Sequence, residues 1–394
     1  MGSVSLQEFR LDLSRLQEIR EAFADRVREG LPADDRQIRA LPTFLSVPDG
    51  GLAGEAAVVD LGGTNVRAAA VALSPGSKYF LTAGPAAARL SPRWDDARAF
   101  FDFQAALVRS LGRAADLPLG YCFSYPARVT PERDAVLFQW TKDLEVPGVV
   151  GRPVGALLRS ALAEGGAPPR RVVVLNDTVA ALLGGYWLVG GEKTFCDAIG
   201  LVVGTGTNLA AFFPAPRLGE KARGRRERMA VDLESGNFHP PHLTAWDDEL
   251  DAGRPNAGEQ RLEKAVSGMY LPELHEFFRS GKAAPATLSA AEMARRAEAE
   301  PSSPAGSLAR ALLDRSADLV AACLAGLIDA LKPAGKVAII AEGAVINRTP
   351  GYRERARRVL ARLLDDREGE PERFAFLSFE HVNLVGAAAA ALME

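Results

Sequence analysis

The sequence predicts an α/β protein of two lobes with a cleft between them, and three observations carry that expectation. The chain has 394 residues, 47% of them apolar, which is enough for a large core and suits two domains better than one. Short β-like runs alternate with helical stretches from residue 56 onward. One strand-turn-strand pattern centred on Gly-Thr-Asn occurs twice, once in each half.

Residues 6–30 set Phe9, Leu13, Leu16, Ile19, Phe23 and Val27 at three-to-four spacing and end at Gly30. This predicts one amphipathic helix docked by a single face on a lobe. From Ala56 the apolar period shortens. AAVVDLGG, VRAAAVAL and LPLGYCFSYPARV read as strands, 154–163 as a helix and RVVVLND at 171–177 as a further strand. A second series follows: AIGLVVGTGTN at 198–208, LAAFF, MAVDLES at 229–235, helical segments to about residue 331, and KVAIIAEG at 336–343. The expected division is a small lobe of residues 55–175 with the C-terminal helix 383–394, and a large lobe of residues 1–54 and 176–382. Residues 281–306, rich in Ala, Glu, Pro and Ser, read as a surface helix or loop rather than a linker.

Composition excludes several function classes. Charged residues are 25% of the chain, the net charge is −3 and the basic residues are dispersed, so no nucleic-acid partner is expected. The densest basic run, KARGRRER at 221–228, reads as a solvated hairpin loop. Cys122, Cys196 and Cys323 are far apart in apolar surroundings, as buried free thiols of a reducing compartment would be. The four histidines show no metal-ligand spacing. The N-terminus is polar and no apolar tract is long enough to span a bilayer, so a cytoplasmic protein without membrane contact is expected. The oligomeric state stays open.

The repeated hairpin points to chemistry. Gly63-Thr64-Asn65 lies between AAVVD and RAAAVA, and Gly206-Thr207-Asn208 between IGLVV and LAAFF. Either turn alone is an ordinary hairpin. Their recurrence, with Asp60 and Thr205 beside them, suits two nests of backbone N–H groups gripping a polyphosphate from both sides. Between the copies, VVVL runs into Asn176-Asp177-Thr178 before a helix of small residues. A carboxylate at the carboxyl end of a buried strand stands where α/β folds hold ligands, although the same residue could simply cap the helix.

The motifs together resemble the hexokinases of the actin-like ATPase superfamily, in consistent order from about Asp60 to Glu342. LGGTNVR at 61–67 is similar to the first phosphate motif of that family. FSYPARV at 123–129 and FQWTKDLEVPGVVG at 138–151 resemble its sugar-binding segments, and LNDTVAALL at 175–183 its catalytic segment. IGLVVGTGTN at 199–208 resembles the second phosphate motif, PNAGEQRLEKAVSGMYLPEL at 255–274 a further signature, and IIAEGAVINR at 339–348 the adenosine segment. The resemblance implies an actin-like (ribonuclease H-like) fold and ATP-dependent phosphorylation of a hexose, most naturally glucose, at its 6-hydroxyl. It implies Asp177 as the base, with Ser124, Thr141, Lys142, Asn176, Asn208, Glu234 and Glu263 on the sugar and Gln260 supporting them. It implies ATP held by Asp60, Gly62, Gly63, Thr64, Asn65, Arg67, Gly204, Thr205, Gly206, Thr207 and Gly343. Mg2+ would be bound through phosphates and water near Asp60, with no direct protein ligand. Such ring hydroxyls are well matched by mixed carboxylate, amide and ammonium partners.

The chain departs from the family at Asp232-Leu233-Glu234-Ser235-Gly236, where the family has Asn-Thr-Glu-Trp-Gly, and at HVNLVGAAAAAL, which keeps only Gly386 and the alanines of a Gly/Ser-rich stretch. Two other readings stay open from the sequence: a sugar sensor that kept the pocket, and a related kinase acting on another small polyol. The intact Asp177 and the paired hairpins weigh against the sensor.

Overall fold

The computed structural model describes residues 6–33, 37–112, 116–141, 144–190, 194–282, 287–365 and 373–393. Where one helix over 6–30 is expected, the chain makes a 3-10 turn, Leu6–Phe9, and then α1, Leu13–Gly30. Asp12 causes the break. Its backbone is extended (φ −77°, ψ 172°) and its side chain accepts from the Arg15 amide at 2.9 Å, an N-cap that must lie outside the helix. The helical phase restarts there, which leaves Leu13 38% exposed. Phe9 packs instead with Leu271, Met293 and Leu312.

The strands form two mixed sheets with the same plan. After β1 (Leu41–Ser46) come β2 (Gly54–Leu61), β3 (Asn65–Ser74), β4 (Lys78–Arg89), β5 (Leu119–Phe123), the small hairpin β6 (Ala127–Val129) and β7 (Ala135–Leu137), and β8 (Val172–Leu175). Then follow β9 (Asp197–Val203), β10 (Thr207–Pro214), β11 (Arg228–Asp232), β12 (Val337–Glu342) and β13 (Phe374–Leu377). The first sheet has the order β4-β3-β2-β5-β8, and the second has β11-β10-β9-β12-β13 with β1 added at one edge. In each, two antiparallel pairings (β2 with β3, β3 with β4; β9 with β10, β10 with β11) are followed by two parallel ones. The repeated hairpin is thus the visible part of a whole repeated sheet.

Helices α2 (Ala97–Arg109) and α3 (Val154–Glu164) pack together beside the first sheet. Helix α4 (Asp177–Val189) follows β8. The second half adds α5 (Ala245–Ala252), α6 (Arg261–Val266), α7 (Leu271–Ser280), α8 (Ala290–Ala299), the long α9 (Pro304–Leu331), α10 (Ala344–Arg348), α11 (Tyr352–Leu363) and α12 (Val382–Leu392). Helices α1 and α11 dock on α9.

The last helix of each repeat is exchanged. α4 leaves the first sheet and packs on β9, β10 and β12 of the second, whereas α12 leaves the second and packs on β2, β3, β5 and β8 of the first. The two helices cross in backbone contact. A Cβ at Gly184 would lie 2.3 Å from the Val382 carbonyl oxygen, and one at Gly386 would lie 1.8 Å from that of Ala180. Only glycine permits that approach. The crossing brings the start of α4, with Asp177, against both repeats.

One expectation is qualified and one corrected. The run 221–228 is exposed over residues 223–227, the solvated loop expected between β10 and β11, but it is anchored at both ends. Lys221 Nζ donates to the carbonyls of Gly30 (2.8 Å), Arg39 (2.5 Å) and Ala40 (3.3 Å), and Arg228 donates to Asp197 at 2.6 Å. A lone ammonium can serve three carbonyls because its three donors point apart. Of the three cysteines, Cys122 and Cys323 are buried but Cys196 is exposed, because it sits in the loop before β9 rather than in an element. Among the described residues, no helix is long and apolar enough to cross a membrane.

Candidate active site

Both Gly-Thr-Asn turns close their hairpins as the sequence predicts. In the first, the Gly62 amide donates to the Asn65 carbonyl at 3.0 Å and the Leu90 amide to the Thr64 carbonyl at 2.9 Å. Asp60 and Arg67 face each other across the β2–β3 ladder. The guanidinium donates to Asp60 Oδ2 through Nε at 3.1 Å and also through Nη2. In the second, the Gly204 amide donates to the Gly206 carbonyl at 2.9 Å, and Thr207 Oγ1 to the Val202 carbonyl at 2.9 Å. The amides of Gly268 and Met269 bind the carbonyls of Gly204 and Thr205 at 2.7 and 3.2 Å. Gly343, at the end of β12, has φ +104°, and a Cβ there would lie 2.4 Å from the Val203 carbonyl oxygen. The segment after β12 therefore lies directly against the second turn.

Asp177 is not the cap of α4. Asn176 is: it is extended (φ −73°, ψ 156°) and its Oδ1 accepts from the Thr178 amide at 2.8 Å. Asp177 is the first helical residue, and its Oδ1 accepts from Thr178 Oγ1 at 3.3 Å. Its charge is felt on both repeats. Burial pushes the Cys122 thiol well up, and the carboxylates of Asp60 and Asp177 push it further. Glu342 is raised to about 7 by burial, with Asp177 and Asp60 adding to the rise and Arg67 opposing it. On the other side, burial raises Glu234 to about 8, helped by Asp232, Glu263 and Asp177 against Arg39. Burial raises Asp232 to about 6, opposed by hydrogen bonds from Asn208 and the Glu234 amide.

The expected sugar-binding residues gather in two groups. Ser124 follows β5, is 6% exposed and donates its amide to the Leu61 carbonyl at 3.2 Å. Thr141 follows Trp140, whose ring packs edge-on against Tyr125 with centroids 4.9 Å apart. Lys142 lies outside the described residues. The second group stands on β10, β11 and α6. The Asn208 amide nitrogen donates to Asp232 at 2.6 Å, Glu263 Oε2 accepts from the Thr207 amide at 2.9 Å, and Gln260 Oε1 accepts from Asn256 at 3.2 Å. Asn176 and Asp232 line one small cavity with Phe123, Tyr125 and Leu175.

Three residues of this arrangement escape the sequence reading. Tyr125 donates its hydroxyl to the Gly62 carbonyl at 3.1 Å, fixing the first turn from the loop after β5, and nothing in the sequence signals that contact. Glu342 ends β12 as Asp177 follows β8, and the same strand-end logic could have found it. Asp232 ends β11 and is 6% exposed; its signal is an acid terminating an apolar run.

The raised Glu234 fixes the sign of a pH effect. Its folded form holds a proton that an unfolded carboxyl releases, so its contribution to stability is full below the ordinary carboxylate range and is lost as pH rises toward about 8. Glu234→Gln removes that loss. Its melting temperature should match wild type at pH 5 and exceed it at pH 9 by roughly 2 °C or more. Equal melting temperatures at both pH values would contradict the raised carboxyl.

Chemically, two amide-rich turns, a carboxylate between them and a cluster of carboxylates and amides can hold a polyphosphate and a polyhydroxylated acceptor side by side. Two family models, both described as hexokinase, match residues 3–187 and residues 198–278 with 291–393. Hexokinase-1 of Saccharomyces cerevisiae is 31% identical over 290 residues, covering 68% of this chain and 58% of that protein. Hexokinase-3 of Homo sapiens is 32% identical over 283 residues, covering 68% of this chain and 30% of that protein. The chain thus spans less than two thirds of these curated relatives. It covers nearly all of two solved structures. One is a hexokinase from Schistosoma mansoni complexed with glucose, at TM-score 0.82 and 24% identity over 98% of this chain and 97% of that one. The other is a hexokinase crystal structure at TM-score 0.79 and 26% identity, over 98% of each chain.

Proposed function

The chain belongs to the hexokinase family, and from that premise we propose that it transfers the γ-phosphate of ATP to the 6-hydroxyl of glucose or a related hexose. Asp177 accepts the hydroxyl proton. The single observation that carries this reading is the division of labour at the start of α4: Asn176 supplies the cap, so the adjacent carboxylate is free for chemistry. Ser124, Thr141, Lys142, Asn176, Asn208, Glu234 and Glu263 bind the sugar, supported by Gln260, and the two turns with Asp60, Arg67 and Gly343 surround the nucleotide.

Magnesium fits the charge of the site. Asp60, Asp177 and Glu342 interact repulsively and Arg67 balances them only in part, which favours a cation. As the family resemblance implies, phosphate oxygens and waters beside Asp60 would hold Mg2+. Bound there, it would supply charge neutralisation on the transferring phosphoryl group. The chain's own part is alignment, proton acceptance and exclusion of water.

The smaller lobe would be residues 55–175 with the last helix, and the larger the rest. Because the sugar residues are divided between these lobes, hexose would draw them together and keep water from competing as acceptor. The test is ADP release with a sugar panel, paired with small-angle scattering. Glucose, mannose or fructose should support turnover and glycerol and ribose should not, and saturating glucose should reduce the radius of gyration. Equal turnover with glycerol defeats the substrate reading; an unchanged radius in an active preparation defeats closure.

A further inference from the structure

Asp232 has no role in the reaction as described, yet it is among the most enclosed acids of the site, at 6% exposure. It ends β11, opposite Ala210 of β10. Its Oδ1 accepts from Asn208 Nδ2 at 2.6 Å and from the Glu234 amide at 3.3 Å. Asn208 in turn uses its carbonyl oxygen for the Leu209 amide (2.8 Å), the Ser235 amide (3.0 Å) and Ser235 Oγ (3.4 Å). A carboxylate can only accept, so the Asn208 amide nitrogen must face residue 232 and its oxygen must face Ser235.

That pair grips both flanks of one strained residue. Glu234 is left-handed, φ 51° and ψ 43°, which costs a non-glycine residue about 1–2 kcal/mol. The preceding Leu233 amide bonds the Leu209 carbonyl at 3.0 Å, and the Asn237 amide closes the turn on the Glu234 carbonyl at 3.2 Å. Ser235, held by Asn208, is 1% exposed.

We propose that Asp232 is a positioning residue for hexose recognition: by orienting the Asn208 amide and holding the Glu234 N–H, it directs the Glu234 carboxyl at the sugar, an inference that rests on Glu234 being a sugar contact. The burial of an acid costs free energy, and here that cost maintains an arrangement rather than a charge at the reacting atoms.

The test uses the whole protein in four forms besides wild type: Asp232→Leu, Asp232→Asn, Glu234→Ala and the Asp232→Leu/Glu234→Ala double variant. Glucose Kd is measured by calorimetry without nucleotide, alongside glucose KM, kcat and the melting temperature. Asp232→Leu should raise glucose Kd and KM about tenfold or more while kcat changes less than about threefold. Asp232→Asn, whose oxygen can still accept both bonds, should restore Kd to within about threefold. The double variant should bind no more weakly than Glu234→Ala alone, because one residue acts through the other. If Asp232→Leu does not fold, Asp232→Ser, one atom too short for both bonds, is expected to behave the same way. Wild-type Kd in the Leu or Ser variant, or losses that add in the double variant, overturns the positioning role while leaving Glu234 as a contact. Wild-type Kd in Glu234→Ala overturns the contact and the proposal with it.

Discussion

Asp177→Asn is expected to lower turnover by roughly 10² or more, the usual contribution of a general base, with little change in glucose affinity. Asparagine keeps the size and hydrogen-bonding capacity of the side chain, so it can still bind the acceptor hydroxyl, but it cannot take its proton. The structure removes the bland explanation in advance. Asn176 already caps α4 through the Thr178 amide, and Asp177 contributes one 3.3 Å bond from Thr178 Oγ1, which an amide oxygen accepts equally well. Folding should therefore survive, with a melting temperature near that of wild type. Turnover, glucose Kd and melting temperature measured on the same preparation separate the outcomes. Near-normal turnover would defeat the catalytic reading and revive that of a sensor with an intact sugar pocket. A fall in all three would show a folding role instead.

Much of this architecture was legible because it is local. Strand ends, turns and caps are set by neighbours in sequence, and the two Gly-Thr-Asn hairpins and the strand before Asn176 form where their residue types predict. The paired hairpins also disclosed a repeat whose full extent, two sheets of one plan, needed the pairing of β5 with β8 and of β12 with β13. Those pairings join segments far apart in the chain, and no local pattern specifies them.

The misread parts are non-local for the same reason. Lys221 looks like part of the solvated basic loop until three carbonyls, one from the end of α1 and two from the segment after it, close around it. Nothing in the local pattern around Glu234 and Glu263 sets them apart from surface acids, so only the family resemblance points to them; tertiary packing brings one into a buried turn beside Asp232 and the other onto the Thr207 amide. The break at Asp12 is the exception, since an aspartate three residues before a helical amide is a recognisable cap. There the regular apolar spacing outweighed a weaker local signal.

Gly386→Ala is expected to lower the melting temperature by roughly 5 °C or more, and Gly386→Val to prevent folding. By local propensity alone the alanine change should help, since glycine inside a helix costs about 1 kcal/mol relative to alanine. Gly386 lies within α12, so that gain is available. Against it stands the crossing with α4, where the new Cβ would be 1.8 Å from the Ala180 carbonyl oxygen and 2.9 Å from the Gly184 amide nitrogen. Both obstacles are backbone, so no rotamer change relieves them, and the helices must separate. Overpacking in a core costs about 1–3 kcal/mol even when side chains can adjust, and here the lost packing includes the alanine face from Ala387 to Ala391. The clash therefore outweighs the propensity gain. Gly253→Ala is the control: its backbone is ordinary (φ −80°, ψ 2°) and the nearest atom to an added Cβ is 3.8 Å away, so it should be neutral or slightly stabilising. Because α4 carries Asp177 on its first turn, the surviving fraction of Gly386→Ala should also lose turnover at temperatures where it stays folded. Unchanged melting in Gly386→Ala would mean that α4 and α12 can part without loss, and that their contact does not fix where Asp177 stands.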